Sequence, residues 1–240
     1  MGALGVYRGA PVQRTGVGLW NKDLTTIQAA CVHDTEGGYE GAIGWMEAQK
    51  NGSYHRLRAL LGQGAQLVPE TKQAWSAMTT GNRIALHACL EGYARWTRAE
   101  WLAKGRDGLE GLAHDLADWH RRYGIPLIRI GPADLRAGRR GICTHADISA
   151  AFGESDHTDP GSGFPLDLVI SRAKEIVAAT QGDTMALTPE QDIKAQLTGS
   201  PEAGKYPGWK QLGDRTLVDA VAAIGAQLGI PGFVDPKASK

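Results

Sequence analysis

The apolar positions fall into short separated runs over the first half of the chain and into helical stripes over the second. Thr25 to Val32 (TTIQAACV) is an apolar, partly β-branched run ending at His33. It predicts a buried strand that delivers a histidine to the edge of a sheet. Glu40 to Lys50 spaces Ile43, Met46 and Trp45 as a short helix does, and Asn51-Gly52 then turns the chain. Ser53 to Leu61 sets Tyr54, Arg56 and Arg58 against His55, Leu57 and Ala59, the alternation of a strand. Gly62-Gln63-Gly64 reads as a hairpin turn and Ala65 to Val68 as the returning partner. Thr80-Gly81-Asn82 predicts a further turn, followed by a nearly continuous apolar strand from Ile84 to Leu90 (IALHACL).

The period then lengthens. Thr97 with Glu100 three residues on has the form of a capping box. Leu109, Leu112, Leu116 and Trp119 recur at helical spacing, and Gly124 closes that helix. Pro126 to Ile130 predicts a strand. Next comes Gly141-Ile142-Cys143-Thr144-His145, a short loop, and Asp159 in a turn made by Pro160 and Gly161. Pro165 to Ala179 is an amphipathic helix with proline in its first turn. The pattern predicts a surface arm over residues 1–24, a main domain over 25–180, a linker with a short helix near Thr188 over 181–213, and a helical segment over 214–240 with Leu217, Val221, Ile224 and Leu228 on one face.

Composition changes this picture little. The 240 residues are 42% hydrophobic and 22% charged, enough for a core of ordinary size. A formal net charge of +0 argues against nucleic acid or an anionic membrane as the main partner, leaving only a local basic cluster at Arg136, Arg139 and Arg140. Three cysteines, Cys31, Cys89 and Cys143, make no disulfide framework and read as buried thiols. No run is long enough to span a bilayer, and the start lacks the pattern of a secretory signal. The expected location is a reducing cytoplasm until release.

Chemistry concentrates on His33, His145 and Asp159. Two imidazoles and a carboxylate are the donors of an open zinc site, and they could equally hold iron. Attack on an amide at such a site builds an oxyanion that a nearby donor must stabilise. Tyr54 and His157 are the candidate donors. Trp75 and Asn82 are candidate groove residues, and Glu91 is a candidate proton acceptor.

The order of these residues resembles a known family. His33, Tyr54-His55, Gln66-Leu67-Val68-Pro69, Ala74-Trp75, Asn82 before a strand ending Glu91-Gly92, His145 with Asp147, and Thr158-Asp159-Pro160-Gly161 with Phe164-Pro165 resemble the type-2 N-acetylmuramoyl-L-alanine amidases, which include peptidoglycan recognition proteins and phage lysozyme-amidases. The likeness covers about residues 25–179 and is closest to amidase domains of endolysins from phages of mycobacteria and related actinobacteria. It implies an α/β fold, a central mixed β-sheet flanked by helices, with a small helical C-terminal appendage. It implies Zn2+ on His33, His145 and Asp159, peptidoglycan as partner, and hydrolysis of the amide between N-acetylmuramic acid and L-alanine during host lysis. Tyr54 would stand near the zinc-bound water. His157 stands where many members carry lysine, keeping a donor without a permanent charge. Two further departures are Ser76, where histidine is common, and Cys89, where some members use glutamate, with Glu91 two residues on. The alternatives are a non-catalytic peptidoglycan-binding module of the same fold, or a zinc peptidase acting within the stem peptide. The second lacks the His-Glu-X-X-His pattern of its commonest form.

Overall fold

The computed structural model describes residues 3–14, 17, 19–183, 197, 212, 215–235 and 238. The chain divides into two compact units, residues 1–179 and 180–240. In the first, six described strands form one mixed sheet: β1 (Val12–Gln13), β2 (Ala29–Asp34), β3 (Arg56–Arg58), β4 (Gly64–Gln66), β5 (Ala85–Leu90) and β6 (Gly141–Thr144). Their order is β1-β4-β3-β5-β2-β6. The β3–β4 hairpin is antiparallel, and every other neighbouring pair is parallel.

The central strands β2 and β5 are buried along their whole length. This is why they read as unbroken apolar runs: a parallel strand covered on both faces has no polar side to alternate with. Period two still sorts their residues. Ala30, Val32, Leu86, Ala88 and Leu90 face one layer, built on α4 (Arg106–Tyr123) and α7 (Leu166–Asp183), where Leu109, Leu112, Leu116, Trp119 and Val169 are fully buried. Ala29, Cys31, Ala85 and Cys89 face the other layer, against α1 (Tyr39–Gln49), α5 (Pro132–Arg136) and α6 (His145–Phe152). His33 and His87 belong to this second face by register.

Between the sheet and α4 lies a buried ionic network. Arg58 grips Asp115 with two 2.7 Å bonds, and Arg56 Nη1 reaches the same carboxylate at 2.9 Å. Arg56 Nε also donates to Glu70 at 2.9 Å, and Trp119 Nε1 donates to Glu70 at 2.6 Å. Every charge taken from water here meets an opposite one, which is the condition for keeping it inside.

The capping box at Thr97 and Glu100 opens α3 (Arg98–Lys104), and Gly124 closes α4 at φ +64. Four expectations need correction. Pro126–Ile130 forms only a bridge, Arg129 to Ile142, with Pro126 unable to donate to a ladder. The turn expected at Thr80 to Asn82 lies inside α2 (Met78–Ile84), because Asn82 Oδ1 accepts the Ser76 and Ala77 amides ahead of it and so caps the helix from within. The loop expected after His145 is α6, opened by a Thr144–Asp147 capping box. The N-terminal arm is more than a surface strap: it supplies β1 and buries Leu4 and Val17.

In the second unit, Thr216 caps α8 (Leu217–Gln227) and Arg215 pairs with Asp235 at 3.1 Å. Leu217, Val221, Ile224 and Leu228 are exposed, while Ala220 and Gly225 on the same helix are buried. The linker expected over 181–213 does not begin at 181, because α7 runs on to Asp183, and the helix expected at Thr188 lies outside the described residues. No helix among the described residues is long and apolar enough to cross a membrane.

Candidate active site

Three separate elements bring the site together. Strand β2 ends in His33 and Asp34, and β6 runs into His145, the first residue of α6. The third element is the turn Thr158–Gly161, closed by a Gly161 N–H bond to Thr158 O at 3.0 Å. Gly161 has φ +81, and a Cβ there would fall 1.9 Å from the Ala94 carbonyl oxygen, so only glycine fits. The Ala146 amide bonds the Asp159 carbonyl at 3.2 Å and ties the turn to α6.

His33 Nδ1 lies 3.0 Å from Asp159 Oδ2, and His145 Nδ1 lies 2.9 Å from Asp159 Oδ1. All three donor atoms lie within 4.8 Å of one another, and all three residues are buried. Their spacing is close to the ~3.3 Å edge of a tetrahedron with bonds of about 2.0–2.1 Å. Two neutral imidazoles and one carboxylate leave a single negative charge, suited to a dication. Burial alone would raise the Asp159 pKa, but hydrogen bonds from His145 and His33 outweigh it and hold the carboxyl well below its usual range. Burial lowers the pKa of His33 against the pull of Asp159, which favours the neutral ring a metal needs. The donor set fits zinc.

A second trio, Cys31, His33 and His87, also gathers within 4.8 Å. It is sealed in the protein behind the first, and burial, with a hydrogen bond that the Cys31 thiol donates to Cys143, pushes the Cys31 pKa well above its ordinary value. It has the donors of a site without the opening.

In front of the three residues is a cleft of about 880 Å³ that His145, His157 and Asp159 line with Tyr54, Trp75 and Asn82. His157 is exposed, stacks on His145 with centroids 4.5 Å apart, and stands 3.7 Å from Asp159. The Tyr54 ring lies 5.3 Å from that of His33, and its hydroxyl meets the Cys89 thiol. Burial and the neighbouring acids raise the Tyr54 pKa well above its usual value, so the phenol keeps its proton. Asp34, whose Oδ2 is buried without a partner, also lines the cleft; burial lifts its pKa to about 7.

The chain matches the family model described as N-acetylmuramoyl-L-alanine amidase over residues 23–162. The chain belongs to this amidase family. Residues 175–231 match a second model, the Rv3766 C-terminal domain. Among solved structures the chain is similar to the Staphylococcus aureus hydrolase AmiA in complex with its ligand, at 16% identity and a TM-score of 0.60, covering 74% of this chain and 87% of that one. It is similar also to the endolysin amidase LysCS of Clostridium intestinale URNW, at 14% identity and a TM-score of 0.51, covering 71% and 99%. These two likenesses concern the fold alone, the mixed sheet with flanking helices.

Among curated proteins the chain is 23% identical over 217 residues to a GTPase Der of Synechococcus, spanning 83% of this chain and 41% of that protein's length. A nucleotide loop needs serine or threonine after its lysine to hold magnesium. Here Gly199 to Lys205 has the glycine spacing, but Tyr206 follows.

Within the amidase frame, six of the seven residues singled out with His33 line one cleft, His145, Asp159, Tyr54, His157, Trp75 and Asn82, while His33 is buried behind it against Asp159. Asn82 is also structural, through the capping bonds described above. Glu91 is not brought there. Its Oε2 accepts the Leu60 amide at 2.9 Å, and β5 ends at Leu90, so standing two residues on from Cys89 does not put Glu91 on the Cys89 face. Two residues escaped the sequence reading. Trp45, counted with Ile43 and Met46 as apolar spacing, is 51% exposed and lines the cleft. His87 sits inside the apolar strand β5, where only its being the sole polar residue of IALHACL marked it.

Proposed function

We propose that the protein is a zinc-dependent amidase that hydrolyses the bond between the lactyl group of N-acetylmuramic acid and L-alanine in peptidoglycan. The observation that carries this reading is the convergence of His33 Nδ1 and His145 Nδ1 on the two oxygens of Asp159, with His145 and Asp159 lining an open cleft. Zinc held by these three would supply a water with a pKa of about 7 and a Lewis acid for a carbonyl oxygen. The remaining work falls to side chains of this chain. Tyr54 offers a phenolic proton to the oxyanion, a role supported by its raised pKa. His157, on the open side of His145, offers a second donor. Trp45 and Trp75 present apolar faces on which a sugar or peptide can lie.

Retention of all three donors favours catalysis over a binding-only module. The resemblance to actinobacteriophage enzymes supports a use in host lysis, which predicts clearing of actinobacterial walls by the purified protein. The direct test is mass spectrometry of muropeptides digested by zinc-loaded protein. Release of intact stem peptides with a free L-alanine amine supports the reading. Cuts within the stem peptide would replace it with the peptidase reading, and uncut substrate with the binding module.

A further inference from the structure

Four histidines stand on four successive strands of the sheet. His55 immediately precedes β3, His87 is on β5, His33 on β2, and His145 follows β6. Their rings follow one another at 5.8, 5.2 and 4.8 Å. The last two are metal-site donors. The first two lie wholly inside the protein and have no part in the proposed reaction.

The hydrogen bonds along this row are specific. His55 Nε2 lies 2.8 Å from the Lys72 carbonyl, which can only accept, so Nε2 carries the His55 proton. His55 Nδ1 is therefore free to accept the backbone amide of His87, at 2.9 Å. This pins the β5 backbone at His87 and stacks the two rings within 6° of parallel. His87 Nδ1 then stands 3.0 Å from His33 Nε2, the nitrogen of His33 that faces away from Asp159.

We infer that His87 is a positioning residue for the metal centre, pairing with His33 Nε2 so that His33 Nδ1 stays aimed at the metal. This rests on the reading that His33, His145 and Asp159 hold the ion. The need for a histidine follows from counting protons. Without metal, Asp159 accepts from His33 Nδ1–H, so His33 Nε2 must accept and His87 Nδ1–H donates. With metal on Nδ1, the His33 proton must sit on Nε2, and His87 Nδ1 must accept. Each ring carries one proton before and after, and only the nitrogen that holds it changes. A neutral imidazole can fill either role from the same atom position. A carbonyl could serve the metal-bound state alone, an ammonium the metal-free state alone, and a hydrocarbon neither. Any of these would leave His33 Nε2 without a matched partner in at least one state, whereas His87 shifts its own proton to its second nitrogen, Nε2, which is buried and has no hydrogen-bond partner in this structure.

Two variants and one spectrum test this. His87→Leu keeps bulk and removes the partner; His87→Asn can present either an oxygen or an amide N–H. Zinc affinity is measured by competition with a chromophoric chelator, with circular dichroism reporting the fold. Outer partners of metal ligands typically account for 10–100-fold in affinity. His87→Leu should therefore bind zinc 10–100-fold more weakly than wild type, and His87→Asn should recover most of the loss. The ¹⁵N shifts of the His33 ring in wild type should show Nδ1–H without zinc and Nε2–H with it. A folded His87→Leu protein with zinc affinity within twofold of wild type overturns the inference while leaving the metal site standing. If that variant does not fold, the wild-type spectrum decides, and zinc ligation through His33 Nε2 overturns it. Wild-type protein that binds no zinc ends both readings.

Discussion

At the scale of single residues, each donor does its work through a specific neighbour. His145 and Asp159 share one hydrogen bond and belong to none of the apolar clusters, so His145→Ala and Asp159→Ala each remove a proposed ligand without touching the core. Both should lower wall hydrolysis by more than about a hundredfold, beyond the effect of losing an outer partner, with near-wild-type circular dichroism. Substantial turnover by either variant would contradict the assignment. Tyr54→Phe removes one oxyanion donor, for which a fall in kcat of about 10²–10³ with little change in KM is expected; an unchanged kcat would return Tyr54 to a packing role. His33, His145 and Asp159 were legible because each sits where an apolar run or a Pro-Gly turn breaks off. His87 was not, because nothing punctuates the strand around it. Glu91 lies one residue past the end of β5, where strand alternation no longer fixes which way a side chain faces.

At the scale of elements, β3 and α4 are joined by charge as well as by apolar packing. Asp115 receives three hydrogen bonds from Arg56 and Arg58, all buried. Asp115→Ala leaves two guanidinium groups without that partner and should cost about 3–5 kcal/mol of stability, read from chemical denaturation. Glu70 adds a pH dependence. Burial pushes its pKa up, but Arg56, Trp119, Tyr123 and Arg122 outweigh that and hold it below 4.5. A carboxyl lowered in the folded state contributes stability that is complete above its unfolded pKa and is lost as pH falls through the folded value. Stability should therefore decline below about pH 4.5, the ordinary value for this group, and Glu70→Gln should flatten that decline while weakening the protein at neutral pH. An acid limb identical in both proteins would show that Glu70 is not its source. The arginines of β3 were visible as an alternation, but the sequence carries no sign that they point inward, since Asp115, which they share, lies 59 residues from Arg56 and 57 from Arg58. Helix α4 announced itself by its apolar stripe. The short α2 and α6 did not, because capping side chains rather than a stripe define them.

At the scale of the molecule, every cleft-lining residue lies between Asn21 and Asp159, within the first unit. A chain ending at Asp183, the end of α7, should keep kcat/KM on a soluble muramyl peptide within about threefold. Collapse of that activity in a folded truncation would make residues 184–240 part of the catalytic unit. The mixed sheet and its flanking helices could be anticipated from run lengths and caps, whereas β1 could not. Its two residues carry no apolar pattern, and only pairing with β4 makes them a strand.

The most direct test of the central claim is the mass spectrum of a defined muropeptide after incubation with zinc-loaded protein. The account predicts two products, the sugar carrying a free lactyl carboxylate and the whole stem peptide beginning at L-alanine. A stem peptide cut internally, or substrate recovered intact, would contradict it.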